Sequence, residues 1–341
     1  MATELTAGVD LHAHWLGEDV QDDARSADEW PRLVVDDDER GRIMIGDRTF
    51  REVRPSLWDV DTRLRDLDAA GIGLQVLSPV PVTFPYGPDA SAATTYATAM
   101  NDSLARAVAA GGGRLSALGT VPLPHVRESV AVLEAIMTTP TSMAGVEIGA
   151  RIGGTELDDP SLLPFFEAAE ALGALLFVHP SDGGSGTVRR SGQPYDFGLG
   201  MHTDTALAAG ALVFGGVLER FPGLQVVMAH GCGSFGWSYP RLRLGAELLQ
   251  GRAPGPRDDL VRRLHVDTLV LDPEHLRLLV HRFGADRLVL GTDHPFFPAE
   301  TSGARSLLAS AEQTGALAPG GAQQVFRANG LALLGRSRVP A

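Results

Sequence analysis

The chain has 341 residues, with 29 Lys plus Arg against 42 Asp plus Glu and a formal net charge of −13. No polybasic block offsets that charge, so nucleic-acid backbones and anionic membrane surfaces are not expected partners. The single cysteine, Cys232, excludes an internal disulfide framework and any metal site built from several thiolates.

Short apolar runs alternate with helical patterns along the whole chain. They predict strands at Gly8–His12, Leu74–Val80, Leu115–Val121, Gly145–Ile148, Leu175–His179, Gln225–Ala229, Leu264–Asp267 and Leu288–Gly291. Most of these runs are continuously apolar, as expected of strands buried on both faces. Helices are predicted at 59–70, 90–110, 126–138, 160–172, 203–221, 234–249 and 273–283, followed by 305–316 and 319–334. Pro160 and Pro273 stand where a first helical turn begins. Strand–helix alternation argues for a parallel sheet, and eight units argue for an α/β fold of the (β/α)8 TIM-barrel type with C-terminal helices. Residues 16–57 break the alternation. There, Leu33–Val35, Arg42–Ile45 and Thr49–Val53 predict a small antiparallel β insertion after strand 1, turning at DDDERG and GDR. The whole of 1–341 then reads as a single barrel domain. SDGGSGTVRRSGQ, at 181–193, reads as a Gly/Ser-rich loop over the barrel mouth. The longest apolar run, 206–218, is too short to span a bilayer, and the N-terminus lacks a basic segment followed by an apolar one. A cytoplasmic protein is expected.

A barrel of this kind does its chemistry at the C-terminal ends of its strands. Predicted strand 1 ends in Asp10-Leu11-His12-Ala13-His14, strand 5 in Val178-His179-Pro180, strand 6 in Ala229-His230-Gly231 and strand 8 in Gly291-Thr292-Asp293-His294-Pro295. Histidines spaced i, i+2 on an extended chain point the same way. His12, His14, His179 and Asp293 form a nitrogen-rich set suited to Zn²⁺ or another divalent transition metal. His230 is then the expected acid/base beside it. Each residue has a plainer reading on its own: a hydrogen-bonded histidine near the core, or an aspartate capping a turn. The joint pattern over four strand ends carries the metal reading. Glu147, ending strand 4, is a candidate for contact with substrate or for an ion pair. His294 is expected to point away from Asp293's side but is kept as a candidate substrate contact. His125, His265, His275 and His281 read as surface or packing residues, with His202 left open.

The stretches VDLHAHW, RIMIGDRTFREV, SLWDVDTRLRDLDAAGIGLQVLSPVP, LFVHP, AHGCGSFGW and LGTDHPF run from near Gly8 towards Gly335. Together they resemble the amidohydrolase superfamily, and within it aminocarboxymuconate semialdehyde decarboxylase and related metal-dependent, non-oxidative decarboxylases. The resemblance implies zinc ligands at His12, His14, His179 and Asp293 and a base at His230. It also implies substrate-carboxylate contacts from Arg51, in the inserted hairpin, and from Arg241, in the helix after strand 6, reaching in from a neighbouring subunit of a homodimer. A planar guanidinium grips a carboxylate through two parallel hydrogen bonds, which suits both arginines to that task. The chain departs from the family pattern at Asp47 (a basic residue in the family), Phe197 (Trp), His294 (Tyr) and Cys232 (Gly). Cys232 reads as a packing residue, since no separate base partners it. The expected activity is zinc-dependent decarboxylation of a small unsaturated or aromatic carboxylic acid. A metal-dependent hydrolase or hydratase, acting on a lactone, amide or double bond, is the alternative. A non-catalytic metal-binding scaffold would show a damaged site, and none of the five superfamily positions is missing.

Overall fold

The computed structural model describes residues 7–20, 30–139, 143–181, 183–185, 187–250 and 255–336. β1 (Gly8–Trp15) is followed by a three-stranded antiparallel sheet of β2 (Arg32–Asp37), β3 (Arg40–Ile45) and β4 (Arg48–Val53), with β3 in the middle. Then come β5 (Ile72–Pro79), β6 (Leu115–Gly119), β7 (Met143–Gly149), β8 (Leu175–His179), β9 (Gln225–Met228), β10 (His265–Asp267) and β11 (Leu288–Val289). These seven and β1 pair in parallel in the order β1-β5-β6-β7-β8-β9-β10-β11. Backbone hydrogen bonds close the ring: Leu11 N donates to Leu290 O at 2.9 Å and His14 N to His294 O at 2.7 Å. The result is the expected TIM barrel with its insertion after the first strand.

Every residue of β1, β6, β7 and β8 is buried, because one face fills the barrel interior and the other meets the helices. Val9, Leu11, Leu118, Phe177, Val227 and Val289 fill the inside. A larger apolar layer packs outside the sheet against α1 (Val60–Ala70), α2 (Ala90–Ala110), α3 (Val126–Thr138), α4 (Leu163–Ala171), α5 (Met201–Phe214), α6 (Phe235–Gln250), α7 (Pro273–Phe283) and α8 (Pro298–Gln313). Asp59, Asp89 and Asp272 cap α1, α2 and α7 by accepting from backbone N–H groups of the first turn.

Three expectations need correction. The helix expected over 203–221 stops at Phe214, and a separate turn runs over Val217–Arg220. Gly215 and Gly216 intervene, and Gly216 takes φ 91°, which ends an α-helix. The helix expected at 305–316 begins seven residues earlier, at Pro298, a proline at its first position. The stretch 319–334 is interrupted by a π-type turn over Gln324–Ala328. Residues 21–29 of the predicted insertion, and 182 and 186 of the predicted loop, lie outside the described residues. No helix among the described residues is long and apolar enough to cross a membrane.

Gly145 shows how tightly the barrel is built. It pairs with Leu175 across β7 and β8, and a Cβ there would sit 2.0 Å from the Leu175 carbonyl oxygen. Gly145→Ala must therefore push two core strands apart. The expected cost is about 3 kcal/mol of stability, at the upper end for overpacking a core, read as a lower midpoint in urea denaturation. A midpoint equal to that of the unsubstituted protein would refute this account of the packing.

Candidate metal centre

β1 delivers two histidines to the barrel mouth. A register shift lies between Asp10 and Ala13, yet both rings turn to one point, with their Nε2 atoms 3.3 Å apart. β8 ends in His179. Asp293 lies in the turn after β11, where its backbone N donates to His12 O at 2.8 Å. Asp293 Oδ1 stands 3.0 Å from His14 Nε2 and 3.7 Å from His12 Nε2. One ligand atom from each of His12, His14, His179 and Asp293 falls within 4.8 Å of all the others, and all four residues are buried.

The tautomers of the three histidines decide what this cluster can hold. His14 Nδ1 lies 2.9 Å from Pro79 O and His179 Nδ1 lies 2.7 Å from Pro180 O. A carbonyl only accepts, so each Nδ1 carries the proton. His12 Nδ1 lies 2.6 Å from the Asp267 carboxylate and is protonated for the same reason. Each Nε2 is then a bare lone pair aimed at the centre, and His179 Nε2 has no hydrogen-bond partner among the described residues. Three converging lone pairs and a carboxylate repel one another unless a cation lies among them. Nitrogen donors of this kind, each fixed by a hydrogen bond at its other nitrogen, fit a divalent transition metal.

His230 differs from these three. Its Nε2 stands 3.8 Å from Asp293 Oδ2, while its buried Nδ1 makes no hydrogen bond among the described residues. No partner dictates which ring nitrogen carries its proton. His230 begins a tight turn in which Gly231 and Gly233 take φ 60° and 56°, and a Cβ on Gly233 would lie 2.3 Å from His202 O. Among the described residues, the non-glycine residues with left-handed φ are His230, Cys232, Leu271 and Asp293. Strain of this kind persists where the surroundings over-determine the backbone, and here it gathers at the barrel mouth. Burial pushes the Cys232 thiol well up from its ordinary pKa, with the Asp267 charge adding to it, so it is a packing group.

A cavity of about 80 Å³ opens on the centre, lined in part by His14, Arg51, His179, His230, Asp293 and Phe296. The hairpin strand β4 brings Arg51 here. Its guanidinium lies 4.1 Å over the Phe296 ring. Desolvation draws its pKa down while the Asp293 charge opposes that. Phe197 lines the same cavity and packs against Phe297 at 5.6 Å between ring centroids.

The other candidates do not line this cavity. His294 faces away from the cavity: its Nδ1 receives Arg63 Nη1 at 3.2 Å and its Nε2 donates to Asp66 at 3.0 Å. Burial, with the Arg63 charge beside it, lowers its pKa to about 4, so the ring is neutral. Glu147 pairs with Phe177, one step below the level of His179, and is fully buried. Burial pushes its pKa well above the ordinary carboxylate value, with the His12 charge opposing. Arg241 lies on α6 along an outer groove with Glu156, Asp158 and Leu207, away from its own chain's centre. Asp47 is exposed at the β3–β4 turn.

Two features were not singled out from the sequence. Asp267, ending β10, accepts from His12 Nδ1 and His230 N on one oxygen and from Gly231 N and Leu269 N on the other. The only signal was that it too ends a predicted strand. The second is a buried chain behind β1. Asp10 accepts from Gln75 at 2.8 Å and Thr292 at 2.7 Å, Gln75 accepts from Arg63 at 2.6 Å, and Arg63 also donates to His14 O. Arg63 and Asp66 both lie within the LWDVDTRLRD stretch.

Metal analysis of purified variants checks the assignment. His179→Ala and Asp293→Ala should lose most of their bound divalent metal. Asp267→Asn keeps all four ligands but lets His12 turn, and its affinity should fall by about 10–100-fold, the usual size for a lost outer partner. Full occupancy in both alanine variants would sink the assignment.

The amidohydrolase family model matches residues 9–336. A 2-amino-3-carboxymuconate-6-semialdehyde decarboxylase from Dictyostelium discoideum is 35% identical over 264 residues, 75% of this chain and 72% of the relative. The IDCase of Metarhizium anisopliae, solved in apo form, superposes with a TM-score of 0.83 at 23% identity, covering 98% of this chain and 99% of that one. A 5-carboxyvanillate decarboxylase from Novosphingobium aromaticivorans, solved with manganese and 4-hydroxy-3-methoxy-5-nitrobenzoic acid, superposes with a TM-score of 0.74 at 17% identity, over 97% and 96% of the two chains. By the extent of the family match and the first of these likenesses, the chain belongs to the amidohydrolase family.

Proposed function

We propose that this chain is a metal-dependent, non-oxidative decarboxylase of a small unsaturated or aromatic carboxylic acid. The observation that carries the role assignment is the contrast among the histidines: three have Nδ1 tied and Nε2 presented to one point, while His230 beside them keeps Nδ1 free. A divalent ion held by His12, His14, His179 and Asp293 would supply positive charge against the negative charge that grows as CO2 departs. Zinc suits this donor set, and the manganese in the Novosphingobium enzyme makes that ion the rival. Arg51 holds substrate carboxylate oxygens, having no carboxylate of its own to pair with among the described residues. The bond between the carboxyl carbon and its neighbour breaks, and the electron pair stays on the substrate carbon. His230 delivers a proton to that carbon and regains one from solvent. Phe197, Phe296 and Phe297 keep the pocket dry.

The alternative is hydrolysis or hydration on the same scaffold, and product mass separates the two. Decarboxylation gives one CO2 per turnover, whereas a product heavier by one water would overturn it. His230→Ala should retain most of its metal and lose turnover by about 10²-fold or more, the usual size of a general acid–base contribution. Near-normal kcat in that variant would remove His230 from the mechanism.

The active unit is proposed to be a homodimer in which Arg241 completes the neighbour's site. Supporting this, α6 exposes Trp237 at 82%, Leu248 at 73% and Leu249 at 86%, an apolar face uncommon on a lone subunit. The unit is one barrel over 1–341 with 16–57 inserted, placed in the cytoplasm on the sequence reading. Mixing inactive His230→Ala and Arg241→Ala chains tests the sharing. In a mixed dimer one site carries both lesions and the other neither, so activity should return on exchange. No recovery in proven heterodimers would exclude it.

A further inference from the structure

The 80 Å³ cavity at the metal centre is too small for a ring-sized substrate, since an apolar cavity of about 150 Å³ is what accommodates benzene. A second cavity of about 270 Å³ abuts it. Phe197, Met201, His230 and Phe297 line both, so the two are separated only by side chains. The far wall of the second cavity comes from the loop after β10, through Leu269 and Val270, and from His202 at the start of α5. The His202 ring lies parallel to that of His230, with centroids 6.2 Å apart and 14° between planes. The loop holds Leu271 at φ 61°, a conformation unfavourable for leucine, with its side chain 58% exposed. Apart from His202, His230, His275 and Asp272, the lining is apolar. Nothing in the chemistry assigned to the metal centre uses this space.

We propose that the second cavity is the subsite for the substrate's apolar body. The carboxylate sits between Arg51 and the metal ligands. The rest of the molecule passes His230 and lies between Met201 and Val270. This rests on the carboxylic-acid reading above and sharpens it to an acid with an aromatic or comparably bulky apolar body, as against a short acyclic dicarboxylate. The placement also puts the carbon that bears the carboxyl group beside His230, where the proton is delivered. Met201 and Val270 are thereby specificity-determining residues.

Binding of non-reacting acids to the metal-loaded protein tests this without turnover. The probes are 2-naphthoate, benzoate and fumarate, titrated by calorimetry. 2-Naphthoate should bind about ten-fold or more tighter than benzoate, because its second ring leaves water for an apolar wall, and fumarate should bind more weakly than either. Val270→Trp and Met201→Trp, which fill the cavity from opposite sides, should each bring the naphthoate-to-benzoate ratio to about one, while Val270→Ala should preserve it. Metal content and melting temperature establish that each variant is folded, and two variants on different elements keep the test open if one is not. Equal affinity for the two aromatic acids, or a preference surviving in both folded tryptophan variants, would overturn the subsite. Tight naphthoate binding with no CO2 released from any carboxylic acid would instead overturn the decarboxylase reading and leave the subsite standing.

Discussion

The geometry of the barrel mouth hangs on one buried carboxylate. Asp267 ends β10 with no solvent exposure, and four donors from three segments of chain converge on it: the His12 ring, the backbone N–H groups of His230 and Gly231, and Leu269 N. Burial alone would drive its proton on. The hydrogen bonds from the His12 ring and from Gly231 N hold its pKa below the ordinary carboxylate value instead. An ionised group here can only accept, so it fixes the His12 proton on Nδ1 and leaves Nε2 bare. It also holds the turn that gives His230 its left-handed backbone. One residue thus sets both the lone pair that His12 presents to the centre and the position of His230 beside it. Leaving a buried acceptor without one of its donors costs about 1–3 kcal/mol, more when it is charged, so this arrangement is rigid as well as specific.

A second buried network supports the other side. Arg63 is fully buried and reaches Gln75, His294 and the His14 carbonyl. Burial lowers its pKa to about 9, with Asp10 and Asp66 opposing. Asp10, raised to about 6 by burial, receives Thr292 and the His12 backbone. These contacts lash β1 to the turn that carries Asp293. The metal-facing atoms are therefore held from behind by groups that never meet substrate, and His294 belongs to that backing.

The inserted sheet places a cation at the mouth. β4 carries Phe50 and Arg51 over strand ends that would otherwise be open. Arg51 rests on the Phe296 face and needs no carboxylate partner to stay in place. A cation held by an aromatic face is pre-organised for an anion without being neutralised beforehand. On the proposal above, the space past His230 sorts acids by the size of their apolar body.

The amino-acid sequence by itself determined the repeating architecture, because strands buried on both faces must be written as apolar runs, and eight of them alternating with helices leave few other folds. It also singled out the four side chains that the structure brings together, because His12, His14, His179 and Asp293 stand at strand ends, where a barrel gathers its chemistry. Tertiary structure alone decided the tautomers and the backing networks. His12 and Asp267 lie 255 residues apart, and a lone aspartate at a strand end carries no local mark of such a partner. The same holds for His294, whose neighbour Asp293 faces the centre while it faces Arg63 and Asp66. The helix end at Gly215-Gly216 was written locally but masked by apolar residues continuing past it, and the helix start at Pro298 was hidden because the small and polar residues after it carry no apolar period. The cavity beyond His230 was not legible at all, since it is a space between α5 and the loop after β10, and a space is defined only once both walls are in place.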